Sequence, residues 1–321
     1  MSRSVLLVLA LIGIGLAVAP LAFGMFDRGP KGAQMMQDFK PFMTDARLNG
    51  FQQHIRDIDA GVRETDGPVA AKLAGPGAAG HARFDRRYPG FAQFQHDWAP
   101  IDADMTHLLD TIQANVGNYQ AVVALPSFRL FPWFFVIPGV LLALLALAAA
   151  LVRRTSSSIR WVIVALGISL VLAPVAFQMF QRAPKGGRMM STFKPIETRQ
   201  KVETMQGYFG TIAVGQGALR LEIVPALRHA GLDDAQIAQR FPRLVTLDTR
   251  WVGILNDLTP MIGAMSDNVD NYQAVAGLPP FPLFPWFFVV PGVLIAGLAF
   301  ASGRRGRPSL APATAAGPIP T

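Results

Sequence analysis

"MFDRGPKGAQMMQDFKP" (Met25–Pro41) and "MFQRAPKGGRMMSTFKP" (Met179–Pro195) are two versions of one phrase, each placed at the exit of an apolar run. A shift of 154 residues lays Phe26, Arg28, Pro30-Lys31-Gly32, Met35-Met36 and Phe39-Lys40-Pro41 on Phe180, Arg182, Pro184-Lys185-Gly186, Met189-Met190 and Phe193-Lys194-Pro195. A shift of 153 then aligns "NVGNYQAVVALPSFRLFPWFFVIPGVL" (Asn115–Leu141) with "NVDNYQAVAGLPPFPLFPWFFVVPGVL" (Asn268–Leu294). Identity this long within one chain is the mark of an internal repeat. The chain therefore reads as two repeats, 1–154 and 155–302. A tail, 303–321, follows with no apolar period and is expected to be disordered and cytoplasmic.

Hydrophobic residues make up 51% of the chain and charged residues 16%, against roughly 25% charged in an ordinary soluble domain. Four runs account for the difference: about 5–26, 131–152, 161–180 and 284–301, none containing Asp, Glu, Lys or Arg. A bilayer core takes about 20 helical residues, and a helix satisfies its own backbone there. The pattern predicts an all-α integral membrane protein with four transmembrane helices and two outer helical domains, 27–130 and 181–283. Because each repeat crosses twice, the repeats run parallel, related by a pseudo-two-fold axis along the membrane normal. A cleavable signal ending at Ala17-Val18-Ala19 fits less well, since Pro20 follows the cut and the matching segment, Leu170–Phe180, is internal.

Arg3, Arg153, Arg154, Arg160, Arg304, Arg305 and Arg307 are the only charged residues outside the spans and the two long loops. The positive-inside rule then puts both termini and the central turn in the cytoplasm and both long loops outside, in a plasma membrane. Much of the net charge of +8 is topogenic by this reading, so it does not argue for nucleic acid. The absence of cysteine leaves no disulfide, thiolate metal site or thiol chemistry.

The outer domains carry helical periodicity. Leu48, Phe51, Ile55, Ile58 and Val62 fall at 3-4-3-4 spacing, as do Val202, Met205, Phe209 and Ile212. A longer stripe runs from Phe91 through Trp98 and Met105 to Tyr119, with a counterpart from Leu244 through Trp251 and Leu258 to Tyr272. Each predicts a helix of roughly eight turns, about 40 Å long. It opens at Pro89 or Pro242, and a kink or break is expected near Pro100 and Pro260. Two stripes per repeat imply a helical hairpin, and two hairpins can pack as a four-helix bundle. The connector "ETDGPVAAKLAGPGAAGHARFD" reads as partly mobile, whereas in "LEIVPALRHAGLDDAQIAQRF" Asp233 or Asp234 is suited to cap a short helix.

Candidate sites follow from what the repeat retains. Arg28 with Lys31, and Arg182 with Lys185, form two basic clusters on the outer side, where the positive-inside tendency does not call for them. They are lipid- or phosphate-contact candidates, with a Pro-Lys-Gly turn offering backbone N–H groups as well. The bland alternative is snorkelling side chains. Phe131, Trp133 and Phe134, with Phe284, Trp286 and Phe287, form an aromatic belt at headgroup level. Met35-Met36 and Met189-Met190 read as adaptable packing groups. Copper(I) ligation is disfavoured, because neighbours in sequence do not share a helical face and no histidine recurs beside them. "HDWAPIDADMTH" has the look of a metal site, with His96, Asp97, Asp102, Asp104 and His107. Only Asp104 has a carboxylate counterpart, Asp257, so no metal or other cofactor is expected.

No ionisable group lies within a span, and no phosphate loop, HExxH or GxSxG occurs. The expectation is a non-enzymatic, multi-pass envelope scaffold or accessory subunit. Its outer bundle would bind an envelope component, and its partners would be membrane lipids and a membrane protein or a second copy. Small-residue faces such as Gly15/Ala19 and Gly292/Ala296 would carry that contact. The alternatives are a lipid- or solute-translocating component with its path between the repeats, and a ligand sensor.

Overall fold

The structure is a computed structural model that describes residues 1–152 and 156–304. Every element among these residues is helical. The first half of the chain runs α1 (Arg3–Ala22), α2 (Met25–Phe39), α3 (Asp45–Glu64), a π-helical turn (Thr65–Val69), α4 (Ala70–Ala74), α5 (Gly77–Arg87), α6 (Pro89–Ala114), α7 (Val116–Val123) and α8 (Trp133–Val152). The second runs α9 (Ser157–Ala176), α10 (Met179–Phe193), α11 (Arg199–Ala218), a π-helical turn (Leu219–Ile223), α12 (Val224–His229), α13 (Asp234–Arg240), α14 (Pro242–Ala276), a 3-10 turn (Phe281–Leu283) and α15 (Phe284–Arg304). Arg153, Arg154, Arg305 and Arg307 lie outside the described residues, as does most of the expected tail; α15 takes in its first two positions.

Four helices are long and apolar enough to cross a membrane: Arg3–Ala22, Trp133–Val152, Ser157–Ala176 and Phe281–Ser302. The first and third stop about four residues sooner than the apolar runs, because the backbone turns at Gly24 (φ 62°) and Gln178 (φ 54°). Left-handed backbone is ordinary for glycine and strained for glutamine. Their N-termini are fixed by serines: Ser2 Oγ accepts from Val5 N–H at 3.4 Å and Ser156 Oγ from Ile159 N–H at 3.2 Å.

The chain separates into two compact units. One, with described residues 1–26, 130–152, 156–183 and 282–304, holds the four long apolar helices. Within it α1 pairs mainly with α8 and α9 with α15, and α1–α15 and α8–α9 contacts close the ring. Glycines set the close approaches. A Cβ built on Gly13 would lie 2.6 Å from Ala143 N and 2.7 Å from the Gly139 carbonyl oxygen. On Gly167 it would lie 2.7 Å from Ala296 N and 2.8 Å from the Gly292 carbonyl oxygen. The Gly292/Ala296 face expected to meet a partner is thus covered by α9 of the same chain, while Gly15 is exposed.

The other unit, residues 27–129 and 184–281, is built on α3, α6, α11 and α14. Here α3 packs on α6 and α14, and α11 packs on α6 and α14, a closed four-helix ring. Its core is the set of apolar stripes: Leu48, Phe51, Ile55 and Ile58 of α3 are all at most 2% exposed, and Phe94 lies against both Trp98 and its counterpart Trp251. Phe209 is only half-buried, so the α11 stripe is weaker than its α3 equivalent.

Three expectations change. The first connector is helical, a π-turn followed by α4 and α5, because Val69, Ala70 and Phe84 bury themselves on the bundle. The helices also run on through Pro100 and Pro260. The long stripe of the first repeat is interrupted instead at Asn115, whose side chain turns back to donate to the Thr111 carbonyl. Finally, Pro30 and Pro184 sit inside α2 and α10, so the Pro-Lys-Gly segment is helix and its N–H groups face no ligand. A proline in the second turn forfeits a single intrahelical bond, which the helix absorbs. Asp233, by contrast, caps α13 as read, in a reciprocal box with Gln236 at 2.7 and 3.1 Å.

Candidate functional site

Within the second unit, α2, α6, α7, α10 and α14 and the segment before α11 enclose a partly open cavity. It holds about 580 Å3 of atom-free space, its open mouth included. Its wall consists of sequence-equivalent pairs without exception: Met35/Met189, Met36/Met190, Phe39/Phe193, Phe42/Ile196, Met43/Glu197, Leu108/Met261, Ile112/Met265 and Tyr119/Tyr272. Seven of these are methionines, whose unbranched, polarisable side chains fill irregular space and repack readily.

The tyrosines hold the cavity ends in place. Tyr119 Oη donates to the Met36 carbonyl and Tyr272 Oη to the Met190 carbonyl. Burial pushes both phenols up to about 12, so they stay neutral donors. One pair breaks the chemical likeness: Glu197 stands where the first repeat has Met43. Glu197 is 5% exposed, and its buried Oε2 has no hydrogen-bond partner. Burial pushes its carboxyl up to about 8. A carboxyl in an apolar site without a counter-charge keeps its proton instead of ionising.

A second paired arrangement lies across the bundle. Asp104 accepts from Lys201 Nζ at 2.6 Å and from Tyr208 Oη at 2.7 Å. Its counterpart Asp257 binds His54 Nε2 at 3.0 Å and Arg47 at 3.3 Å. Partial burial raises the Asp104 carboxyl, but the Lys201 and Tyr208 bonds outweigh it and leave it below the ordinary range. Asp257 is lowered first by the His54 bond and then by Arg47. Asp104 therefore ties the two sequence halves together. Among the described residues no group of three or more His, Asp or Glu side chains is arranged for a metal ion.

The residues singled out as lipid or phosphate contacts are placed as follows. Arg28 donates to the carbonyl of Gly277, the residue that ends α14, and Lys31 pairs with Asp27 at 3.0 Å on its own helix. Arg182 reaches the Phe177 carbonyl at 3.4 Å, and Lys185 is half-buried. The aromatic residues divide by depth. Trp133 and Trp286 are 49% and 52% exposed, each edge-on to a phenylalanine of its own half, Phe26 and Phe180. Phe131 meets Phe284 at 5.8 Å and Phe135 meets Phe288 at 4.4 Å, both pairs buried between the halves. Phe134 lies on Phe177 and Phe287 on Phe23.

The cavity was not read from the sequence. The Met-Met pairs read as adaptable packing groups, and both members of each pair line the cavity. The signal was present: the repeat writes Met-Met, Phe-Lys-Pro and Asn-Tyr twice, and sets one carboxyl against one methionine. The chain matches no family model, no curated protein and no solved structure.

Proposed function

We propose that this is a tandem-duplicated, four-span membrane protein whose second unit is an extracytoplasmic bundle that binds an apolar ligand in its methionine-lined cavity. It serves as a binding component of a cell-envelope assembly and carries out no reaction of its own. The observation that carries the reading is the cavity wall, eight pairs related by the repeat, apolar at all but one ionisable carboxyl and two committed phenols. A Met-rich wall suits ligands of varied shape. The seam between the halves of the spanning unit is closed by Phe131, Phe135, Phe284 and Phe288, which supports an anchor over a translocation path. In this reading Arg28 braces the end of α14, and the exposed tryptophans anchor the spans at the interface.

Native mass spectrometry of the protein released with its own lipids tests the proposal. The expected spectrum shows one retained apolar ligand, lost when Ile112→Trp fills the cavity without lowering Tm. A wild-type protein that retains no ligand and binds no apolar dye contradicts it.

A further inference from the structure

The cavity wall carries one group that can hold a charge at neutral pH and no group that can balance it. We propose that Glu197 makes this cavity a receptor for an amphipathic organic cation, an apolar body bearing a single ammonium- or phosphonium-type charge. The inference deepens the reading of the cavity as an apolar-ligand site and rests on it.

Three features favour a cation. Glu197 Oε2 is buried and unpartnered, and it sits on the wall. No Lys, Arg or His lines the cavity, so a phosphate or carboxylate ligand would meet a carboxyl and no counter-charge. Phe39, Phe193, Tyr119 and Tyr272 supply ring faces that attract a desolvated cation. A neutral ligand would gain only a hydrogen bond there; a cation would gain an ion pair as well.

The charged groups on the surrounding helices do not supply that partner. His107, Asp110, Arg188, Lys194, Asp267 and Asp270 are exposed. Asp38 binds Gln34 at 2.7 Å and Asn268 at 3.0 Å, while Arg199, two residues after Glu197, faces Asp270 at 3.4 Å. The proton balance follows. The empty site holds a carboxylic acid, the cation binds the carboxylate, and one proton leaves to solvent for each ligand taken up. Apparent affinity should rise about tenfold per pH unit below about 8 and level off above it. Because Met43 occupies the equivalent position, one cation binds per chain.

The test uses the full-length protein in detergent, with tetraphenylphosphonium as probe and triphenylphosphine oxide as its neutral analogue. Calorimetry at pH 6.5 and 8.5, in buffers of different ionisation enthalpy, reads affinity and proton release. For the wild type we expect tetraphenylphosphonium to bind at least tenfold more tightly than to Glu197→Gln, releasing about one proton at pH 6.5. The neutral analogue should bind both proteins alike. The double variant Met43→Glu/Glu197→Met, which moves the carboxyl to the equivalent position, should restore the preference for the cation. If both probes bind wild type and Glu197→Gln equally, the cation inference is overturned while the apolar site stands. If neither probe binds the wild type, the site itself is overturned.

Discussion

The spanning unit and the helical bundle use the same two sequence halves in opposite ways. In the spanning unit each half pairs chiefly with itself, α1 on α8 and α9 on α15, through glycine contacts that are the same in both copies. In the bundle α3 packs on α14 and α6 on α11, across the halves. There the equivalent positions differ: Arg47 and His54 hold Asp257, Lys201 and Tyr208 hold Asp104, and Met43 stands where the second half has Glu197. Lipid offers no hydrophobic drive between helices, so spans associate through close backbone packing that only small residues permit. The bundle closes across the halves through polar and charged pairs as well as apolar ones, and there the equivalent positions differ.

Replacing Glu197 by methionine makes the cavity wall alike on both sides, and it carries the largest expected effect. Glu197 titrates near 8 in the fold against an ordinary 4.5, so the folded state holds its proton while the unfolded state releases it. That stabilisation is complete below 4.5 and is lost as pH rises towards 8, by roughly 5 kcal/mol in all. The variant should lose this slope and melt well above the wild type at pH 8, as calorimetry across the range would show.

Glycine substitutions separate the two modes of packing. Gly13→Leu meets backbone that cannot yield and should cost about 3 kcal/mol. Gly61→Ala meets the Leu247 side chain, with a Cβ 2.4 Å from Cδ2 and 2.9 Å from Cβ; a rotamer change relieves the first contact and not the second, so the cost should be about 2–3 kcal/mol. Thermal melts in one detergent compare them. The carboxylate ties should differ less. Asp104→Ala should cost about 1–2 kcal/mol, and Asp257→Ala, whose side chain is 42% exposed against 31%, about half of that. Double-mutant cycles should show a larger coupling for Lys201–Asp104, at 2.6 Å, than for Arg47–Asp257, at 3.3 Å and more exposed. The smallest effect is at the backbone turns: Gln178→Gly should stabilise by about 0.5 kcal/mol and Gly24→Gln destabilise by about 1 kcal/mol.

Composition and period made the four apolar helices and the buried stripes legible, since hydrophobic run length and 3.6-residue spacing are local properties. Pro30, Pro100, Pro184 and Pro260 misled because a proline's penalty is local while the packing that absorbs it is not. The cavity was hidden for a related reason. Its wall draws on distant segments whose convergence no window of sequence displays. Asp104 and Asp257 were legible as the carboxylates that survive within an otherwise unmatched acidic stretch, but their partners Lys201, Tyr208, Arg47 and His54 come from distant helices. Glu197 could have been found too, as the one acidic residue set opposite a methionine in an otherwise apolar repeat position.

An infrared titration of the Glu197 carboxyl, taken as the difference between wild type and Glu197→Gln, tests the account most directly. The account predicts a protonated carboxyl band at pH 7 that disappears with a midpoint near 8. A carboxylate already ionised at pH 6 in the ligand-free protein would contradict it.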